Sequence, residues 1–405
     1  MCELFKGTEK APKVGTNLDL IETSWPSWLN AQRRSSARLS AEFSEAIKRE
    51  RVHFKSGRAR IVGPNEISVI DPLRGINLQI TSQHIILATG SRPNYSSQPE
   101  IGIMNSDHLL WQAKAARHLF VVGGGYVGCE LAAIYRDLGS RVTIAEAQPR
   151  LLPNWDPIAG EQFRTVLLKA GIDVLLNEPI ELPLPNFEKM PSYKLTTGAV
   201  IQPDITLVAT GRKPNSDELG LESVGLTGGV WIPVNEYMQT AVDSIYAVGD
   251  VNGIRLLDSV ATAQADIAVE NILGRPVRFD KRWFSQFLHT EPPIASIGWT
   301  EEEATTAGLP VEAVSWSDSI FTDDDFSTIE HEHMAIKCLI HAESGCFLGC
   351  IAVGSHAAEI INLVSAAIAT GQSAHAISKL SAVHPSATEV LVRTLRQRFE
   401  RPAFV

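Results

Sequence analysis

Apolar and polar positions change rhythm several times along this chain. Leu119-Phe120-Val121-Val122 is an unbroken apolar run, read as a buried strand, and it enters Gly123-Gly124-Gly125-Tyr126-Val127-Gly128 directly. A helical pattern follows through Leu138 and stops at Gly139; Arg141-Val142-Thr143-Ile144 then opens a second strand that ends at Glu146. Strand, glycine loop, helix and strand in that order predict a βαβ unit. Upstream, a polar helical stretch from Leu29 to Glu50 precedes three short strands, Arg60–Val62, Glu66–Ile70 and Asn77–Ile80. His84–Ala88 is apolar but too short for a helix, and Thr89-Gly90-Ser91-Arg92-Pro93 ends it. Beyond about residue 284 the pattern shifts to longer polar strands and then helices, one opened by Glu359-Ile360-Ile361 and an amphipathic one from Thr388 to Glu400.

One segment recurs. Leu87-Ala88-Thr89-Gly90-Ser91-Arg92-Pro93 returns as Val208-Ala209-Thr210-Gly211-Arg212-Lys213-Pro214, which predicts two nucleotide-binding modules in tandem. Counting back from Gly90 by the Gly123–Gly211 separation reaches residue 2, so the glycine loop of the first module is expected at or before the start of this chain.

With 405 residues the chain exceeds what one hydrophobic core organises. Its 44% apolar and 20% charged residues are ordinary for globular domains and exclude disorder or coiled coil as the main architecture. A net charge of −10 with no basic run disfavours nucleic acid and anionic membranes as partners. The cysteines, at 2, 129, 338, 346 and 350, are too few for a secreted disulfide scaffold. No signal peptide opens the sequence and no apolar run approaches the ~20 residues of a membrane span, so a cytoplasmic protein is expected.

The loop carries the chemistry. In a strand–helix context, G-x-G-x-x-G with an acidic residue about twenty positions on is the dinucleotide fingerprint. Gly123 makes the tight turn, Gly125 lets a pyrophosphate approach the backbone, and Gly128 lets helix and strand pack closely; the helix N-terminus receives the negative charge. Glu146 accepts hydrogen bonds from the adenosine ribose hydroxyls and repels a 2′-phosphate, which favours NAD over NADP. Arg150, four residues on, works against that preference.

With the doubled Ala-Thr-Gly segment and Thr240-Ala241-Val242-Asp243-Ser244-Ile245-Tyr246-Ala247-Val248-Gly249-Asp250, the chain resembles the pyridine nucleotide–disulfide oxidoreductases. These FAD- and NAD(P)-dependent dimers include glutathione reductase, mercuric reductase, dihydrolipoyl dehydrogenase and the soluble pyridine nucleotide transhydrogenase; the last two are nearest in texture. The resemblance runs from about residue 25 to the C-terminus. It implies an α/β fold of two nested Rossmann-like domains, the first incomplete, plus a C-terminal α+β dimerisation domain. The implied boundaries are 1–115 with 241–283 for FAD, 116–240 for NAD and 284–405 for the dimer interface.

By the same resemblance Ala59, Thr89, Gly90 and Ser91 meet FAD, Asp250 bonds its ribityl chain, and Leu256, Leu257, Asp258 and Ser259 start the helix beneath its pyrimidine edge. Asp258 puts a carboxylate where relatives have a small apolar residue, which disfavours reduced anionic flavin. The NAD site takes Gly123, Gly124, Gly125, Tyr126, Val127, Gly128, Cys129, Glu146 and Gly211, with Glu130 near nicotinamide and flavin. His384-Pro385-Ser386-Ala387-Thr388-Glu389 matches the His-Pro-x-x-x-Glu motif, in which His384 is acid/base for a substrate thiol across the dimer and Glu389 orients it. The implied reaction is hydride transfer from a nicotinamide to FAD, then to a small-molecule disulfide or a second nicotinamide.

Three family features have no match in these residues: a first glycine loop, a Cys-x-x-x-x-Cys pair and the lysine that would pair with Glu130. Weak FAD binding and impaired disulfide reduction are therefore expected, and the alternative is a non-catalytic NAD-binding dimer. Cys346 and Cys350 are expected to be half-buried structural residues on a strand. His331-Glu332-His333 with Asp323, Asp324 and Asp325 is expected to be a solvated charged loop rather than a metal site.

Overall fold

The structure is a computed structural model that describes residues 18–71, 73–112, 116–182, 191–319, 333–384 and 386–399. The chain forms two compact units: Glu22–Asn94 with Gly211–Lys281, and Tyr95–Thr210 with Arg282–Val405.

The larger unit contains the predicted βαβ. His118–Val122, Tyr126–Asp137 and Arg141–Glu146 are strand, helix and strand, each within a residue or two of the pattern's expectation. They belong to a five-stranded sheet in the order Ile103–Met104, Ile205–Val208, His118–Val122, Arg141–Glu146, Asp173–Leu176, with every pairing parallel. Leu119, Phe120 and Val121 are fully buried, the continuous apolar run that a sheet covered on both faces demands. Strand order reverses between His118–Val122 and Ile205–Val208, and ligands in such sheets bind outside the carboxyl ends of the strands at that reversal. The glycine loop leaves from there.

The same unit carries a five-stranded antiparallel sheet in the order Gln286–Leu288, Ile294–Gly298, Phe347–Val353, His333–His341, Val311–Ser319. Ile336, Cys338, Ile340 and Ala352 on its strands share one core with Ile360, Ile361 and Val364 of the helix Ala357–Ala369 and Leu391 and Leu395 of the helix Ala387–Phe399. This is the α+β texture expected after residue 284.

In the smaller unit the three predicted short strands form an antiparallel meander, Arg58–Gly63, Glu66–Asp71 and Ile76–Thr81. The apolar run at 84–88 gives Ile85–Leu87, paired in parallel with Ile245–Ala247. The doubled segment also pairs with itself: Ser91–Pro93 lies antiparallel to Arg212–Pro214. Ile85, Leu87, Ile245, Ala247 and Val251 form the core here. The helix expected from Leu29 starts earlier, at Leu18, and runs to Arg49 through Pro26, a residue that lacks the N–H of a helical bond. Among the described residues no helix is long and apolar enough to cross a membrane.

Candidate nucleotide and flavin sites

The glycines of the loop meet three different surroundings. Gly123 has φ +110°, and a Cβ there would lie 2.6 Å from the carbonyl oxygen of Ala209. A Cβ on Gly128 would lie 2.0 Å from the carbonyl oxygen of Gly123, so only glycine lets the helix sit this close to the turn. Around Gly125 there is nothing within 4 Å of such an atom. Gly125 is also the N-cap of Tyr126–Asp137, and it supplies no capping side chain. That helix therefore starts without a side-chain cap, at a glycine with open space on its Cβ side, which suits an anion cradle.

Glu146 closes the cradle. It is buried, and its Oε2 accepts from the Gly124 N–H at 2.6 Å while Oε1 accepts from the Gln148 N–H at 2.8 Å. Each oxygen keeps a lone pair for a further donor. The segment after it folds back on the loop: the Leu152 N–H donates to the Gly124 carbonyl at 2.8 Å, and Leu151 packs at the face of Gly124. Arg150 does not stand open beside Glu146, as the sequence suggests. Its guanidinium makes two 2.8 Å bonds to Glu302 and a third to the Pro153 carbonyl at 3.2 Å. The Cys129 thiol is fully buried and donates to the Gly124 carbonyl at 3.3 Å; burial pushes its pKa far up, so it serves packing.

Glu130 turns toward the antiparallel sheet, where its Oε1 accepts from the His289 N–H at 2.8 Å. Burial raises its pKa, and the hydrogen bond from His289 offsets part of that rise. In the same unit His384 Nδ1 lies 2.9 Å from Glu389 Oε2. That bond holds the Glu389 carboxyl below its ordinary range and commits Nδ1 of an exposed imidazole, leaving Nε2 for exchange.

In the smaller unit Ser91 Oγ donates to Asp250 Oδ2 at 2.6 Å and accepts from Arg212 Nε at 2.7 Å, while Arg212 also bonds the Ser91 carbonyl. Asp250 Oδ1 keeps no partner among the described residues. Gly90, φ +72°, and Gly211, φ +112°, both have open space where a Cβ would stand. Thr89 Oγ donates to the Asn215 carbonyl at 2.7 Å. Ala59 lies on the strand Arg58–Gly63 opposite Val69. Leu256 and Leu257 lead into the helix Asp258–Ile272, where Asp258 accepts from the Ser259 N–H at 2.7 Å. An open turn beside a half-partnered carboxylate fits a polyhydroxyl chain such as the ribityl group of FAD.

The cysteine expectation needs correction. Cys346 is exposed, in the turn before Phe347–Val353, whereas Cys350 is buried and faces Cys338 across the ladder with sulfurs 3.5 Å apart. The bulge between Leu339 and Ile340 shifts the register and makes this pairing. Asp323, Asp324, Asp325, His331, Glu332, Pro385 and Cys2 lie outside the described residues, as does the side chain of His333.

Sequence spacing gave no sign of three further contacts. Lys337 Nζ lies 3.0 Å from both carboxylate oxygens of Asp156 and 2.7 Å from Glu301, and Glu302 and His289 hold Arg150 and Glu130 as above.

A parallel sheet with an open glycine cradle and a buried acidic residue at its second strand defines a dinucleotide-binding class. The family is equally definite. The model for pyridine nucleotide-disulphide oxidoreductases matches residues 2–267, and that for the dimerisation domain of the same group matches 284–395. Glutathione reductase of Burkholderia cepacia is 30% identical over 400 residues, covering 97% of this chain and 86% of its own. Dihydrolipoyl dehydrogenase of Synechocystis is 29% identical over 377 residues, covering 88% and 78%. Among solved structures, LpdA of Mycobacterium tuberculosis superposes with a TM-score of 0.82 at 23% identity over 98% of this chain and 86% of its own, which shows the shared fold. The HOCl-induced flavoprotein disulfide reductase RclA of Escherichia coli gives 0.70 at 25% identity over 84% and 78%. The chain belongs to the pyridine nucleotide-disulphide oxidoreductase family, whose members are flavin-dependent oxidoreductases that use a pyridine nucleotide.

Proposed function

We propose that this chain binds NAD(H) in preference to NADP(H) at Gly123–Glu146, takes FAD on Thr89–Ser91 and Asp250, and moves hydride equivalents from the nicotinamide onward to a disulfide or a second nicotinamide. The observation that carries the reading is Glu146, buried against Gly124 beside an open helix N-terminus. A carboxylate there accepts from two ribose hydroxyls but repels a 2′-phosphate. FAD, when bound, supplies a ring that receives hydride and passes electrons on.

The chain's own residues orient and exchange protons. Tyr126, Val127 and the loop N–H groups would hold the pyrophosphate, and Gly128 keeps that helix end close to the turn. Asp250 would hold the ribityl chain of FAD, with its carboxylate fixed by Ser91, which Arg212 holds in turn. Ala59, Leu256 to Ser259 and Gly211 line the remaining cofactor surface by family likeness. Glu389 fixes His384 so that Nε2 takes or returns the proton of a substrate thiol in a homodimer built through 284–405.

The test is NADH oxidation by the FAD-reconstituted chain, with a dye acceptor and with dihydrolipoyl- or glutathione-type disulfides. Dye reduction without disulfide turnover is the expected outcome, because no two cysteines in these 405 residues have the Cys-x-x-x-x-Cys spacing. Disulfide turnover at relatives' rates would contradict the impairment. NADH binding with no turnover of any acceptor would support the non-catalytic alternative.

A further inference from the structure

Arg150 belongs to the loop after Glu146, and a cation of that loop reaching the adenosine ribose would undo a preference for NAD. It follows Glu146 by four positions, in a segment pinned to the loop by the Leu152 N–H on the Gly124 carbonyl. Arginine is the residue best suited to a phosphate, through its planar fork of donors. Yet the Nη1–Nη2 edge of that fork is already taken: Nη1 and Nη2 each lie 2.8 Å from one oxygen of Glu302, a residue of the short helix Glu301–Thr306 in the antiparallel domain. The remaining bond of Nη2, to the Pro153 carbonyl, ties the head to its own loop. Both partners feel the pairing, since the hydrogen bond to Glu302 raises the pKa of Arg150 and the bond to Arg150 lowers that of Glu302.

We propose that Glu302 is a specificity-determining residue for the nucleotide site: by occupying the Nη1–Nη2 edge of Arg150 it withholds a cation of the loop after Glu146 that would otherwise receive a 2′-phosphate. The inference rests on the reading that the adenosine ribose meets Glu146. Discrimination then has two parts. Glu146 repels the 2′-phosphate directly, and Glu302 removes its alternative partner. Relief of either part shifts the preference toward NADP(H), and loss of Glu302 does so without touching a residue that meets NAD.

Calorimetric titration of the full chain with 2′,5′-ADP, which carries the 2′-phosphate, and with 5′-ADP, which lacks it, tests this. Glu302→Gln is expected to tighten 2′,5′-ADP roughly five- to tenfold, the range for one partly exposed charge-assisted contact, and to leave 5′-ADP within about twofold. The double variant Arg150→Met/Glu302→Gln should lose that tightening. Glu302 is half-exposed, and the cap of its helix is made by Thr300 and Glu303, so the variant retains its fold. Equal 2′,5′-ADP affinity in wild type and Glu302→Gln, or a tightening that survives in the double variant, overturns the role of Glu302. Failure of 5′-ADP to bind, or insensitivity of its binding to Glu146→Ala, overturns the nucleotide-site reading itself and this inference with it.

Discussion

Lys337 reaches from the strand His333–His341 of the antiparallel sheet to Asp156, which caps the helix Pro157–Lys169 after the nucleotide loop. Asp156 is 5% exposed and its Oδ1 also accepts from the Ile158 N–H, so one carboxylate serves both a helix end and an ion pair. Burial pulls the Lys337 pKa down, but bonds to Glu301 and Asp156 outweigh it and hold the ammonium charged. Removing one partner of such a pair strands the other's charge. Lys337→Met should cost about 3 kcal/mol or more of unfolding free energy, read by urea denaturation. A change within about 0.5 kcal/mol, the range of an ordinary surface substitution, would mean the pair is not a structural tie.

Glu130 predicts a dependence on pH. Its pKa is raised in the folded chain, chiefly by burial, so the folded state keeps the proton to higher pH than the unfolded state does. Stability therefore falls as pH rises from 4.5, the ordinary value, through the raised one. Gln at this position keeps an acceptor for the His289 N–H and removes the buried charge. Thermal unfolding of Glu130→Gln should show a stabilisation that grows with pH above 4.5 and is absent below it. An effect independent of pH would contradict this.

Thiol chemistry separates the cysteines. Burial raises the Cys129 pKa, and the Cys350 pKa is raised by its hydrogen bond with Cys338 and by burial. Cys346 is exposed. In a thiol titration of the native protein, Cys346→Ser should remove one fast-reacting equivalent, while Cys129, Cys338 and Cys350 should react only on unfolding. Fast labelling of Cys338 or Cys350 would show that the hairpin opens.

Much of this was readable along the chain, for a local reason. Strand, glycine loop and helix are contiguous, so Gly123, Gly125, Gly128 and Glu146 announce themselves by spacing, and His384 and Glu389 meet at a helix start. The contacts that could not be read join distant segments: Lys337 and Asp156 are 181 residues apart, Glu130 and His289 159, Arg150 and Glu302 152. Their side chains are ordinary surface charges until the fold apposes them. Arg150 shows the consequence, because its sequence neighbour Glu146 suggested a free cation and its spatial neighbour Glu302 removes it. Cys350 failed as an expectation for a similar reason, since a bulge set its register.

Glu146 decides whether Gly123–Glu146 is an NAD site. Titration of the purified chain with NADH and NADPH by calorimetry should show tighter binding of NADH. Glu146→Ala should weaken NADH roughly tenfold or more, as loss of a charge-assisted hydrogen bond does, and narrow the gap to NADPH. Equal affinities in the wild type, or tighter NADPH, would contradict the assignment of Gly123–Glu146 as an NAD site.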